Sequence, residues 1–245
     1  MKLTVLGCYG PYPKAKGACS GYLLEDQDIK ILIDCGNGVI SRFFSYCNDL
    51  NQLDGIFISH LHPDHMSDLL VLRYAIGIGQ MMGKITKPIN LYLPASPSEE
   101  YNRIPYQQAF TRNVINEDLK IDLKGLKISF FKTDHPVECY GMVFEKNNKK
   151  LVYSGDTKYF PQLVDYIKGS DLFLCEGGIL QKDMTDTTPH LSAKQVGEVA
   201  TEAKLRRIIL THIFPPVNIN QIFQEAREVF PNIIEIAEEG KAYYI

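Results

Sequence analysis

Directly after the apolar run Gly55-Ile56-Phe57-Ile58-Ser59 the chain reads His60-Leu61-His62-Pro63-Asp64-His65, three imidazoles and a carboxylate within six residues. Imidazole nitrogen and carboxylate oxygen are the donors that zinc and similar transition ions take. A loop at the end of a strand lets side chains that would alternate within the strand converge instead. His60 and His62 can then grip one cation while Asp64 and His65 reach a second. Loops do collect polar residues without any function, but only six histidines occur among 245 residues. A cluster this dense at this spacing reads as a ligand loop.

Three single residues extend the set, each directly after an apolar run: His135 in Thr133-Asp134-His135-Pro136, Asp156 in Tyr153-Ser154-Gly155-Asp156-Thr157, and His212 in Leu210-Thr211-His212-Ile213. Alone, each would more often be a structural polar residue than a ligand. Strand ends on one edge of a sheet, however, send their loops to a common place, and four such ends supply a ring of nitrogen and oxygen donors. The resulting assignment gives His60, His62 and His135 to one metal and Asp64, His65 and His212 to the other, with Asp156 bridging. Two divalent cations so held would draw the pKa of a water between them towards about 7, which makes hydrolysis the natural chemistry.

The elements that must position these residues alternate between short β-rich runs and amphipathic stretches. Strands are expected at 2–7, 21–25, 30–34, 55–59, 90–93, 127–132, 140–145, 151–154, 172–175, 207–211 and 233–237. Helices are expected at 39–49, 67–80, 162–168, 192–203 and 221–229. The fourth helix has the strongest signature: Ser192 and Gln195 stand at capping-box spacing, and Val196, Val199, Ala200 and Ala203 form one apolar face. Strands outnumber helices in an α/β or α+β layered pattern. No internal repeat or linker divides the chain, so one domain over residues 1–245 is expected. The least regular stretch, 83–116, is the candidate insertion or lid. Its Tyr101, Tyr106 and Phe110, with Met81 and Met82 upstream, could wall a metal site or, the reading we prefer, pack a subunit interface or the core.

Bulk properties exclude several classes. A net charge of −3 offers no basic field for a nucleic-acid backbone, and the clusters Lys146–Lys150 and Lys204–Arg207 are short enough to be solvated turns. No stretch approaches the roughly twenty apolar residues a bilayer span needs, and the amino terminus reads as a strand rather than an export signal. The six cysteines form no CxxC pair and no disulfide framework, as expected of reduced thiols in a cytoplasmic protein.

The HxHxDH spacing of His60–His65, with later ligands in the order histidine, aspartate, histidine, resembles the metallo-β-lactamase superfamily. Leu6-Gly-Cys-Tyr-Gly-Pro-Tyr-Pro13 and Leu32-Ile-Asp34-Cys35-Gly36 resemble the first two segments of its ribonuclease Z-like branch. The resemblance implies a four-layer αββα sandwich with the metals at one edge of the sheets. It also implies that Asp34 braces the ligand loop rather than binding metal. Glu176 and His190 match a glutamate and histidine that this branch carries at its site, where the glutamate orients the histidine towards the scissile phosphate or leaving group. One departure bears on substrate. The transfer-RNA-processing members insert a long basic arm between the third ligand histidine and the bridging aspartate, whereas only a hairpin around Asn147-Asn148 fits between His135 and Asp156.

The expected function is therefore hydrolysis of a small phosphodiester, a cyclic or short nucleotide rather than a folded transfer RNA. Attack is by metal-bound hydroxide, with Asp64 orienting it, and His190 supports or protonates the departing oxygen. Two divalent ions are expected, zinc first, with manganese or iron also compatible, and related enzymes lead us to expect a homodimer. Two other readings stay open at this point: a hydrolase of carboxylic esters, lactones or thioesters on the same metals, and a non-catalytic binding member of the fold.

Overall fold

The computed structural model describes residues 1–245. Alternation of apolar side chains decides its layering. In strands β1 (Lys2–Gly7), β2 (Gly21–Asp26), β3 (Ile29–Ile33), β4 (Gly55–Phe57) and β5 (Ile89–Leu93), successive residues point to different cores. Ile31, Ile33 and Phe57 face a central core of 46 buried residues, while Leu32, Ile56 and Leu91 face a second core of 24. A strand apolar on both faces has to be covered on both. Here one face meets a second sheet and the other a layer of helices.

The first sheet has the order β14-β1-β2-β3-β4-β5-β6, with β6 at Phe110–Val114 and β14 at Ala242–Tyr244. The second has the order β13-β12-β11-β10-β9-β8-β7, formed by β7 (Lys120–Leu123), β8 (Leu126–Lys132), β9 (Tyr140–Lys146), β10 (Lys149–Tyr153), β11 (Leu172–Gly178), β12 (Arg207–Ile213) and β13 (Ile233–Ile236). Strands β3 to β6 are mutually parallel, as are β10 to β13, so their carboxyl ends gather at one edge of the sandwich. Helices α1 (Val39–Phe43), α2 (Pro63–Met66), α3 (Leu69–Met81) and α4 (Ser98–Arg103) belong to the half of the chain that builds the first sheet. Helices α5 (Leu163–Ile167), α6 (Ala193–Glu202) and α7 (Ile219–Arg227) belong to the half that builds the second. The result is the expected αββα sandwich in a single domain. No helix is long and apolar enough to cross a membrane.

Several expectations change in detail. The first helix stops at Phe43 instead of running to residue 49, and a separate short 3-10 turn at Leu50–Gln52 starts where Asp49 accepts the Asn51 N–H. Local side-chain bonds of this kind compete with a helix. Strands β6 and β14 and helix α4 carry no apolar alternation strong enough to predict them, and β7 alternates over only the four residues Lys120–Leu123. β6, β7 and β14 are sheet-edge strands whose outward side chains meet water. The capping box on α6 forms as expected: the Gln195 N–H donates to Ser192 Oγ at 3.1 Å and the Ser192 N–H donates to Gln195 Oε1 at 3.0 Å.

Segment 83–116 forms β5, α4 and β6 and so completes the first sheet. Tyr106 meets Tyr74 of α3 in a tilted pair with centroids 4.6 Å apart and fills the space above Gly77, while the Gln107 amide reaches Met81. Tyr106 therefore packs along the far half of α3, while Tyr101 and Phe110 pack against the core of 24 residues and Tyr101 also meets Arg112.

Candidate metal centre

The ligand loop is built by β4 and by one turn of helix. Pro63 opens α2, where its fixed backbone angle suits the first helical position. Asp64 and His65 therefore project from a rigid turn rather than from an open loop. The backbone is held left-handed at two non-glycine residues of this edge, Asp34 (φ 53°) and His212 (φ 55°). Such conformations cost on the order of 1–3 kcal/mol each and persist where the surroundings over-determine them. At the remaining seven non-glycine positions with positive φ the chain is in a turn.

Three ring nitrogens meet at one point: His62 Nδ1 lies 3.0 Å from His60 Nε2 and 3.1 Å from His135 Nε2. The second nitrogens of His60 and His135 are occupied. His60 Nδ1 lies 3.1 Å from the Ser59 hydroxyl, and His135 Nδ1 donates to the Pro189 carbonyl at 3.2 Å. Burial pulls the imidazoles of His60, His62 and His135 towards their neutral forms, His135 down to about 4. Each then turns a lone pair on the others, an arrangement that repels unless a cation sits among them. Tetrahedral zinc with nitrogens at about 2.0–2.1 Å separates its ligands by roughly 3.3 Å, close to the spacing observed.

A second group adjoins the first. His212 Nε2 lies 3.1 Å from Asp64 Oδ2, and His65 Nε2 lies 3.6 Å from the same oxygen. Asp156 stands between the two groups, its Oδ1 3.4 Å from His65 Nε2 and its Oδ2 3.4 Å from His212 Nε2 and 3.7 Å from His60 Nε2. His65 Nε2 and Asp156 Oδ1 are buried with no hydrogen-bond partner, which is costly for a buried polar atom and fits a pair of donors awaiting a cation. Burial opposes the charge on His65, yet the carboxylates of Asp156, Asp64 and Asp34 outweigh it and hold that imidazole well above its usual range. Burial likewise opposes ionisation of Asp156, but His212 and His65 keep it ionised. A dication compensates the same carboxylates without borrowing a proton.

Asp34 faces the other side of this group and is saturated. Its Oδ1 accepts from the Ser59 N–H at 2.7 Å. Its Oδ2 accepts from Ser59 Oγ at 2.9 Å, His65 Nδ1 at 2.8 Å and the Tyr153 hydroxyl at 2.6 Å. These four hydrogen bonds commit the carboxylate to its protein neighbours, so the residue braces His65 and aims its Nε2 inward. Glu176 is also consumed: it accepts from the Thr157 N–H and holds His190 Nδ1 at 2.9 and 3.1 Å through its two oxygens. His190 stacks on His212 with centroids 5.1 Å apart and lies 3.8 Å from Asp156. Burial would lower its pKa, but Glu176 outweighs burial and raises it to about 9.

Every residue singled out from the sequence, His60, His62, Asp64, His65, His135, Asp156, Glu176, His190 and His212, thus lies in one connected cluster at the sheet edge. Sequence reading missed the contacts made by Ser59, Tyr153 and the Pro189 carbonyl. Tyr153 is 119 residues from Asp34, and no local spacing signals that pairing. All six cysteines are free and buried, and burial raises the pKa of each, so none offers a thiolate donor or nucleophile.

Comparison with known proteins agrees with this geometry. The model of the beta-lactamase superfamily domain matches residues 30–213. The protein called "Probable metallo-hydrolase YhfI" of Bacillus subtilis is 31% identical over 241 residues, covering 98% of each chain. The crystal structure of YhfI superposes with a TM-score of 0.94 at 30% identity, covering 99% of this chain and 98% of that one. Ribonuclease Z of Archaeoglobus fulgidus is 25% identical over 301 residues, covering 97% of this chain and 95% of its own. A diphosphatase of the PhnP family shares the fold, with a TM-score of 0.76 at 17% identity, covering 100% and 97% of the two chains. The chain belongs to the beta-lactamase superfamily and is a metallo-hydrolase of that fold.

Proposed function

We propose that this hydrolase is a phosphodiesterase acting on a small phosphodiester, a cyclic or short nucleotide, through a site of two divalent metals. His60, His62 and His135 would hold one ion and Asp64, His65 and His212 the other, with Asp156 between them. Nitrogen and carboxylate donors without thiolate suit zinc first, with manganese or iron as the other fits. When bound, the two ions supply Lewis acidity and a nucleophile at neutral pH.

The observation that carries the phosphodiester reading is the buried Glu176–His190 pair beside Asp156 and His212. With Nδ1 taken by Glu176, the free Nε2 of His190 is the one atom it can offer to substrate. With its pKa raised to about 9, it carries a proton at neutral pH. It can therefore support charge on a phosphoryl oxygen or hand that proton to the departing alkoxide, a leaving group far more basic than water at pH 7. Asp64, on α2 and 3.1 Å from His212 Nε2, would orient the attacking oxygen.

Small substrate size is supported by the short connection from His135 to Asp156. Its only excursion is the β9–β10 hairpin, closed by Asn147 and Asn148 with φ of 52° and 59°. The lysines around this turn are engaged internally: Lys146 with Asp26, Lys149 with Asp171, and Lys150 with the carbonyls of Tyr166 and Lys168. They form no clamp for a transfer RNA. The free, buried thiols suit a reducing cytoplasmic setting.

The test compares metal-loaded protein on bis(p-nitrophenyl) phosphate, a p-nitrophenyl phosphomonoester and a p-nitrophenyl carboxylic ester. Metal-dependent cleavage is expected to favour the diester. Preferential cleavage of the carboxylic ester would transfer the assignment to ester, lactone or thioester hydrolysis.

The proposal includes a homodimer. α3 buries Leu69, Leu72 and Ile76, but its outer side also presents Val71, Tyr74, Ile78, Met81 and Met82, each at least 43% exposed. A helix apolar on both sides calls for cover on both. Its one charge, Arg73, is held against the Arg103 carbonyl and the Tyr74 ring, which leaves the apolar side chains of the stripe to meet a second copy of itself. Ile78→Glu combined with Met81→Glu is expected to halve the mass in light scattering. An unchanged mass would remove α3 from the interface.

A further inference from the structure

The loop between β1 and β2 runs against the metal-ligand cluster. A Cβ on Gly10 would lie 1.9 Å from His212 Nε2, so only a glycine lets the backbone lie flat on that ring. Two residues further on, Tyr12 meets Phe214, itself two residues beyond His212, edge to face with centroids 6.0 Å apart. Tyr12 is 48% exposed. A large aromatic ring thus stands in solvent at the rim of the cluster, on the side of His212, and His190 stacks on that same histidine.

Single exposed aromatics are common on protein surfaces. This one differs because the chain on both sides of it is tied down. Near its start, the Ile213 N–H donates to the Cys8 carbonyl at 2.7 Å and the Gly10 N–H donates to the Ile213 carbonyl at 3.2 Å. Near its end, the Ala18 N–H donates to Glu239 at 2.7 Å, and Arg42 bonds both Glu239 and the Lys16 carbonyl. The Phe214 N–H donates to the Gly178 carbonyl at 3.2 Å. A ring carried on backbone already ordered can receive a flat ligand with little further loss of freedom.

We propose that Tyr12, backed by Phe214, is the shelf on which a nucleobase stacks while the phosphate reaches the metal-ligand cluster. The inference deepens the phosphodiesterase reading, on which it rests, by narrowing the small diester to one that carries a base. Stacking uses the π-face that every base has, so the shelf selects nucleotides over base-free phosphates and discriminates weakly among bases.

Calorimetric titration of the metal-loaded protein with adenosine monophosphate and with ribose 5-phosphate tests the shelf without requiring turnover. The wild-type protein is expected to bind the nucleotide roughly tenfold or more tightly than the sugar phosphate, the range that one stacked base supplies. Tyr12→Ala should erase that preference and leave ribose 5-phosphate binding unchanged, and Tyr12→Phe should keep it. Equal binding of the two ligands by the wild-type protein, or a preference that survives Tyr12→Ala, overturns the proposal. Hydrolysis of bis(p-nitrophenyl) phosphate is read separately. A nucleotide preference in a protein that does not cleave the diester would sink the phosphodiesterase reading and leave the shelf standing.

Discussion

His62→Ala is expected to bind fewer than two metal ions per chain and to lose at least about a hundredfold in diester turnover, because disturbing even the partners of a ligand typically costs 10–100-fold. The prediction is sharp at His62 because its Nδ1 sits between His60 Nε2 and His135 Nε2 at 3.0 and 3.1 Å, so alanine removes the vertex of the triangle. His62 is only half-buried and braces nothing else, which separates loss of metal from loss of fold. Metal analysis and a thermal melt decide the outcome together. With free metal near a thousand times its Kd, a bound ion adds about 4 kcal/mol to native stability. In a chain of this size that corresponds to roughly 8–16 °C in Tm. Chelation should therefore lower the Tm of the wild-type protein, and His62→Ala should start from the lower value. Two ions per chain and full turnover in the variant would dismiss the three-histidine group as a metal site.

His190→Ala is expected to lower kcat by about 10²–10⁴-fold, the usual contribution of a positioned acid, while leaving metal content intact. Unchanged turnover would remove His190 from the chemistry. Glu176→Gln should give a smaller loss with a diagnostic pH signature. An acid acts while protonated, so activity falls as pH rises through its pKa. The Glu176 carboxylate is what lifts His190 to about 9 against the effect of burial. Neutralising it lowers that pKa, so the alkaline limb of the kcat profile should move to lower pH. An alkaline limb that stays in place in Glu176→Gln would assign it to another group.

Much of the site was legible because its chemistry is written in local spacing. His60, His62, Asp64 and His65 fall within one strand end and one helical turn, so their convergence follows from short-range geometry. His135, Asp156 and His212 were legible as strand-end residues, since strands that run in the same direction deliver their carboxyl ends to one edge. An α/β or α+β layered pattern was legible from the alternation of strands and helices, and the αββα sandwich only through the resemblance that the motifs carry. What stayed hidden follows from long-range contact. β6 and β14 are edge strands whose partners, rather than their own alternation, make them strands. Tyr153 reaches Asp34 only because two different sheets face each other. The aromatics of segment 83–116 could not be placed until Tyr106 was seen on Gly77 and Tyr74.

The sequence by itself determined which atoms could bind metal, because residue type and strand-end position fix donor chemistry and approximate location. Only the tertiary structure decided which donors remain free to do so. Asp34 and Glu176 are carboxylates like Asp64 and Asp156, yet one is saturated by Ser59, His65 and Tyr153 and the other by Thr157 and His190. The distinction rests on hydrogen bonds between residues distant in sequence, and those form only when the two sheets close on each other. A buried carboxylate whose oxygens are committed to protein donors positions its neighbour, and one left with an orphaned oxygen, as Asp156 is, has the donor chemistry to hold a cation.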